Sequence, residues 1–95
     1  MLERDIEKRV GDYAAKKGFW HRKFTSPQRR GVPDRIFARC GRVFWIEFKA
    51  SGKKPTPLQL SEIAKMRAVG LTVFVVDNVE EGKKIIDDYL KWEGL

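Results

Sequence analysis

The chain has 95 residues, 42% of them hydrophobic, with 20 Lys and Arg against 13 Asp and Glu and a formal net charge of +7. This length and composition predict one folded domain over residues 1–95 and exclude a disordered chain, and the positive charge favours nucleic acid as the partner. A lone cysteine, Cys40, excludes an intrachain disulfide, and no apolar run reaches the roughly 18 residues of a membrane span.

The first part of the chain predicts a helix followed by a strand. Acidic residues near the N-terminus replace the basic region of an export signal, so we expect a cytoplasmic protein. Apolar residues spaced by three and four predict an amphipathic helix from Leu2 to Lys17, ended by Gly18. Aromatic and basic residues from Phe19 to Phe24 then predict an edge strand, and residues 25–30 a loop.

The next segment predicts a β-hairpin. One strand is entered between Gly31 and Phe37, and the other runs from Arg42 to Lys49, with a two-residue turn at Cys40-Gly41. This turn pairs Arg39 with Arg42, so the numbers of residues facing each other across the hairpin sum to 81.

That register brings polar residues together in an otherwise apolar strand pair. It places Asp34 directly opposite Glu47, where the Cβ atoms of neighbours on one face lie about 4.5–5.5 Å apart. Because side chains alternate along a strand, Lys49 shares the face of Glu47. We therefore expect two carboxylates and an amine on one patch.

The remainder of the chain predicts helix, strand and helix. Thr56, Pro57 and Gln59 form a capping-box sequence that begins a helix running to about Val69, with Leu60, Ile63, Ala64 and Met66 on its buried side. The apolar run from Leu71 to Val76 predicts a buried strand parallel to the third, and Val79 to Trp92 predicts the last helix. The predicted fold is α/β, in the order α-β-β-β-α-β-α, with a mixed central sheet flanked by helices.

Two facing carboxylates repel unless they share a proton or hold a cation. Oxygen ligands favour Mg²⁺ or Mn²⁺, which would polarise a phosphodiester and activate water, while Lys49 stabilises the developing charge. The Glu47-Phe48-Lys49 pattern alone is also common in surface ion-pair ladders, and it is the facing Asp34 that strengthens the interpretation. No Ser-His-Asp set or P-loop competes, so phosphodiester hydrolysis is the predicted chemistry.

Pro33-Asp34 followed by Glu47-Phe48-Lys49 is similar to the signature of the PD-(D/E)XK nuclease superfamily. Further stretches resemble the VRR-NUC family of stand-alone phage and bacterial nucleases: Gly31 to Arg35, Trp45 to Lys49, Pro57 to Gln59, and Gly70 to Val76. The resemblance covers almost the whole chain. It implies a restriction-endonuclease-like core and a location in the cytoplasm of a bacterial or phage-infected host cell.

The resemblance also implies roles for individual residues. Asp34 and Glu47 would bind Mg²⁺ or Mn²⁺ together with the main-chain carbonyl of Phe48. An acid on the first helix usually contributes, for which Glu7 is our assignment and Glu3 the alternative. The implied catalytic residues are Glu7, Asp34, Glu47, Lys49 and Gln59.

Small stand-alone members of the family resemble Holliday junction resolvases. We therefore expect a metal-dependent, structure-selective DNA endonuclease that cuts four-way junctions as a homodimer. A flap or duplex nuclease of the same chemistry and a non-catalytic DNA-binding module are the alternatives. The predicted DNA contacts are His21, Lys23, Arg29, Arg30, Arg35, Ser51, Lys53 and Lys54.

Overall fold

A computed structural model describes residues 1–25 and 31–93 of the chain. Its seven elements follow the predicted order and confirm the α/β class with a mixed sheet. No helix in this described part is long and apolar enough to cross a membrane. The elements are α1 (Glu3–Lys16), β1 (Trp20–Lys23), β2 (Arg35–Arg39), β3 (Arg42–Phe48), α2 (Pro57–Ala68), β4 (Val73–Val76) and α3 (Val79–Glu93).

The four strands lie in the order β1-β2-β3-β4, with the first three antiparallel and β4 parallel to β3. The hairpin turn has φ of 51° at Cys40 and 76° at Gly41, two consecutive positive values as a type I′ turn requires. Arg39 faces Arg42 and Phe37 faces Phe44, which confirms the predicted register.

The ends of two predicted strands were wrong. The strand β2 begins at Arg35, so Asp34 lies just before it rather than within it. Pro33 has no N–H to donate to a neighbouring strand, which delays the start of regular pairing. The strand β1 is also shorter than Phe19–Phe24, because the Phe19 N–H donates to the Ala14 carbonyl at the end of α1 rather than to a strand.

The core lies between one face of the sheet and the helices α1 and α3. Its centre is an aromatic stack in which the Phe44 ring lies 5.2 Å from Phe37 and 4.4 Å from Tyr89. The helix α1 contributes Ile6, Val10 and Ala14, all fully buried. The other buried apolar residues include Ile46, Phe48, Val76 and Ile86. This packing fixes α1 against the end of the sheet where Asp34 lies.

The helix α2 packs differently from the prediction. Its Thr56 capping box is present, as expected. However, only Ile63 is buried, whereas Leu60 is 53% exposed and Ala64 is also exposed. In the described structure the backbone of α2 lies close to β4 but not to the other strands, so most of its apolar side chains lack a surface to cover.

Replacing Gly82 with Ala should destabilise the protein, although Ala favours helix by about 1 kcal/mol. A methyl group there would collide with the Val10 side chain where α1 and α3 approach closely. Overpacking of this kind costs about 1–3 kcal/mol. We expect a lower melting temperature by calorimetry, partly restored in the Gly82→Ala/Val10→Ala double variant. Equal melting of Gly82→Ala and wild type would contradict this close packing.

Candidate active site

The predicted polar residues meet at the end of the sheet where β3 finishes. Asp34 comes immediately before β2, Glu47 is the penultimate residue of β3 and Lys49 follows that strand. Gln59 lies in the first turn of α2. Four side chains from three segments of the chain therefore meet at one place.

Asp34 is held in place by its backbone and by its side chain. Its carbonyl accepts a hydrogen bond from the Phe24 N–H at 2.7 Å, and its Oδ2 accepts one from the Phe48 N–H at 3.1 Å. Upstream, Gly31 has φ of 85°, and a Cβ there would lie only 2.8 Å from the Leu58 carbonyl oxygen. Glycine thus lets the segment that leads to Asp34 touch the first turn of α2.

Among the described residues, Glu47 alone is both charged and buried, with 1% of its surface exposed. Its Oε2 accepts a hydrogen bond from Gln59 Nε2 at 3.2 Å and lies 3.6 Å from Lys49 Nζ. Its Oε1 is buried without a hydrogen-bond partner in the described structure. A buried carboxylate oxygen that accepts no hydrogen bond is costly, so this oxygen has room either for a proton shared with Asp34 or for a cation.

The pKa values of Asp34 and Glu47 also indicate that these two carboxyl groups need a proton or a cation between them. Burial, and then the charge of Asp34, raise the pKa of Glu47 to about 8, while Lys49 opposes the shift. Burial also raises the pKa of Asp34, opposed by its hydrogen bond from Phe48 and supported by the charge of Glu7. Without a cation the two carboxyl groups can coexist only by retaining a proton.

The donor set fits a hard divalent cation. Asp34 and Glu47 offer carboxylate oxygens, which Mg²⁺ and Mn²⁺ prefer, and one of those oxygens is unpaired. Within residues 1–25 and 31–93 no group of three His, Cys, Asp or Glu side chains is arranged to hold a metal. Binding would therefore rest on two carboxylates with a main-chain carbonyl and water, which Mg²⁺ readily retains.

Gln59 has the two contacts that its position suggested. Its side-chain oxygen accepts from the Thr56 N–H at 2.9 Å, and its backbone N–H donates to Thr56 Oγ1 at 3.2 Å. Its Nε2 is then free to donate to Glu47. The cap of α2 thereby orients the buried carboxylate.

The two acids of α1 have different surroundings. Glu7 forms ion pairs with Arg35 at 3.0 Å and Lys23 at 3.3 Å. Burial and the nearby Asp34 raise the pKa of Glu3. Both acids lie within electrostatic range of Asp34, so the assignment of Glu7, with Glu3 as the alternative, stays a prediction.

The predicted DNA contacts fall into three groups. Ser51, Lys53 and Lys54 are exposed on the loop that follows Lys49, and Lys23 is exposed on β1. His21 and Arg35 turn inward, with His21 Nδ1 lying 3.1 Å from Arg35 Nη1. Arg29 and Arg30 lie outside the described residues.

Sequence reasoning missed the pairing of Glu7 with Lys23 and Arg35. The register of β1 with β2 places Lys23 beside Arg35, but nothing in the sequence placed α1 over that pair. This ion-pair cluster becomes visible only in the folded structure, where α1 packs against β1 and β2.

No protein-family model matches the chain. Over 79 residues it is 47% identical to "Putative nuclease p44" of Acyrthosiphon pisum secondary endosymbiont phage 1, covering 82% of this chain and 85% of that protein. It is also similar to a solved structure described as a VRR_NUC domain, with a TM-score of 0.83 and 30% identity. That match covers 92% of this chain and 96% of the solved one.

The buried carboxyl group should make stability depend on pH. Because the pKa of Glu47 is raised to about 8 in the fold from an ordinary 4.5, the folded protein holds a proton that the unfolded chain has lost. With EDTA present, the free energy of unfolding should therefore fall as pH rises from about 5 to about 9. Glu47→Gln should flatten this slope, measured by urea denaturation across that range.

The matched control is Glu80→Gln, which removes an exposed acid from the start of α3. It should keep the wild-type slope. An unchanged slope in Glu47→Gln would show that this carboxyl group does not carry the proton.

Proposed function

The chain belongs to the VRR-NUC family of nucleases, and from that premise we propose that it is a metal-dependent DNA endonuclease that resolves four-way junctions as a homodimer. The main support for this chemistry is the buried Glu47 carboxylate, which lies beside Asp34 and within 3.6 Å of the Lys49 amine and has one oxygen without a hydrogen-bond partner among the described residues. We expect it to act in the cytoplasm of a bacterial or phage-infected cell.

Asp34, Glu47 and the main-chain carbonyl of Phe48 are the residues that would hold Mg²⁺ or Mn²⁺. When bound, the cation supplies Lewis-acid polarisation of the phosphoryl group and lowers the pKa of the attacking water. The unpaired Oε1 of Glu47 supports this assignment. The Phe48 N–H helps by fixing the orientation of the Asp34 carboxylate.

Lys49 would supply positive charge next to the Glu47 carboxylate. Its side chain is only 13% exposed, so water screens its charge weakly. An ammonium group fixed in this position would stabilise negative charge as it develops on the phosphoryl oxygens and would orient the attacking water. Gln59 keeps the Glu47 carboxylate in place and completes the catalytic set with Glu7.

Positive charge around the site supports DNA as the substrate. The exposed residues Ser51, Lys53 and Lys54 are two to five positions beyond Lys49, close enough for the same DNA strand to meet both. Contacts with phosphates position the duplex without selecting sequence, which suits recognition of DNA by shape. The formal charge of +7 adds long-range attraction.

An open face of the sheet supports dimerisation. Trp20, Phe24 and Val43 are 37–48% exposed on the side of the sheet that carries Asp34 and Glu47. The Phe24 ring meets the edge of Trp45, also on this face, at 6.3 Å. A second copy that covered these aromatic residues would place two active sites about a twofold axis, which matches the two scissile strands of a four-way junction.

Lys49→Ala and Asp34→Asn should each lower the single-turnover rate of Mg²⁺-dependent cleavage by roughly 10²–10³-fold, because each removes a charge that acts on the transition state. Binding of the same DNA should persist, measured by fluorescence anisotropy. Lys65→Ala, which alters an exposed lysine on α2, is the matched control and should cut at the wild-type rate. Wild-type cleavage by Lys49→Ala would contradict the assigned site.

Four-way, flap, nicked and linear DNA of matched sequence should distinguish the substrates. With Mg²⁺ we expect symmetric paired nicks on the four-way junction, read at nucleotide resolution, and slower cleavage of the other three. Preferred cleavage of flaps or duplex would retain the chemistry and overturn the junction assignment. Metal-insensitive binding without cleavage of any substrate would indicate a DNA-binding module.

A further inference from the structure

The His21 ring is half-buried between α1 and the sheet, in the wall of a groove. It stacks on Phe37 with 5.5 Å between ring centroids and 23° between planes. On its other side is Gly11 of α1, where a Cβ would lie 3.1 Å from His21 Cε1. The glycine in mid-helix, which costs stability, therefore makes room for the ring. Helix and sheet together fix the plane of the imidazole.

The partner of His21 determines where its proton resides. Its Nδ1 lies 3.1 Å from Arg35 Nη1, and a guanidinium can only donate hydrogen bonds. Nδ1 must then be the acceptor, so the ring is neutral with its proton on Nε2. Burial, followed by the charge of Arg35, lowers the pKa of His21, in agreement with this geometry. A neutral, inward-facing imidazole is a poor ligand for phosphate.

Arg35 extends the contact towards the active site. Its Nη2 donates to Glu7 Oε2 at 3.0 Å, and the Arg35 and Glu7 side chains are only 20% and 12% exposed. Arg35 directly follows Asp34 in the chain, and Lys23, the other partner of Glu7, directly precedes Phe24, whose N–H donates to the Asp34 carbonyl. The Arg35 guanidinium thus connects the His21 ring to the Glu7 carboxylate.

We infer that His21 is a positioning residue, which holds the Arg35 guanidinium so that Arg35 in turn fixes the Glu7 carboxylate beside Asp34. This role rests on the proposed nuclease function. It replaces the direct DNA contact predicted for His21 from sequence.

His21→Phe is the first test, because it keeps a flat ring against Phe37 and removes the acceptor for Arg35. Loss of an outer partner of this kind typically lowers activity about 10–100-fold. We expect that fall in the single-turnover rate at saturating DNA, with an unchanged dissociation constant for DNA and an unchanged salt dependence of binding. His21→Gln, whose amide oxygen can accept from Arg35, should recover most of the rate.

A direct DNA contact would behave in the opposite way. Its loss would weaken binding and flatten the salt dependence while leaving the saturated rate intact, and that result would overturn the inference. Asp12→Asn is the matched control, since Asp12 lines the same groove as His21 and, among the described residues, its side chain is hydrogen-bonded to Lys8 rather than to His21, Arg35 or Glu7. It should keep both rate and affinity.

A double-mutant cycle tests whether His21 acts through Arg35. In an Arg35→Met background, His21→Phe should have no further effect on the rate, because the guanidinium that it orients is gone. Multiplying effects in the double variant would overturn the pathway. Gly11→Ala provides a second route to the same result, because its methyl group should displace the ring without altering any polar group.

A measurement that does not depend on cleavage separates this inference from the proposed function. The ¹³C signal of the Glu7 carboxylate should shift in His21→Phe and return towards its wild-type position in His21→Gln, in protein kept in EDTA. An unmoved signal would overturn the positioning role even in an active nuclease. A moved signal in a protein that cuts none of the four DNA substrates would support the role and refute the nuclease proposal.

Discussion

Burial of the Glu47 carboxylate is the constraint on which the rest of the site depends. A strand residue with 1% exposure must be apolar, protonated or compensated, and here compensation comes from other segments. Gln59 donates from the first turn of α2, Lys49 adds charge after β3, and Asp34 approaches it from just before β2. Among the described residues, the acids Glu3, Glu7, Asp34 and Glu47 lie near the cations Lys23, Arg35 and Lys49, and the pKa values of Glu3, Asp34 and Glu47 are nevertheless raised.

The register of the β2–β3 hairpin determines that Glu47 lies on the face of the active site. Because the two-residue turn at Cys40-Gly41 sets the register, a slip of one residue would transfer Glu47 to the core face and Ile46 to the site. The stacked rings of Phe37, Phe44 and Tyr89 resist such a slip, since the same register brings them into contact. The aromatic packing on the core face of the sheet therefore maintains the position of Glu47 on the opposite face.

Local patterns predicted much of this arrangement. The turn type, the register, the capping box and the parallel fourth strand each follow from a few neighbouring residues, and the structure contains all of them. The start of β2 was wrong because Pro33 and the side chain of Asp34 replace regular pairing. The buried stripe on α2 was wrong because periodicity cannot show whether a surface exists to receive it. The network of His21, Arg35 and Glu7 joins three elements, so no local pattern could reveal it.

The strand β1 ends the sheet with one edge unpaired in the described structure. Exposed backbone groups at such an edge would recruit a strand from another molecule and begin aggregation. Its last residues, Arg22 and Lys23, are exposed and positively charged, so two copies that approached edge to edge would repel each other. DNA, with the opposite charge, would be attracted to the same edge. Arg22 and Lys23 would therefore disfavour strand pairing between copies along this edge.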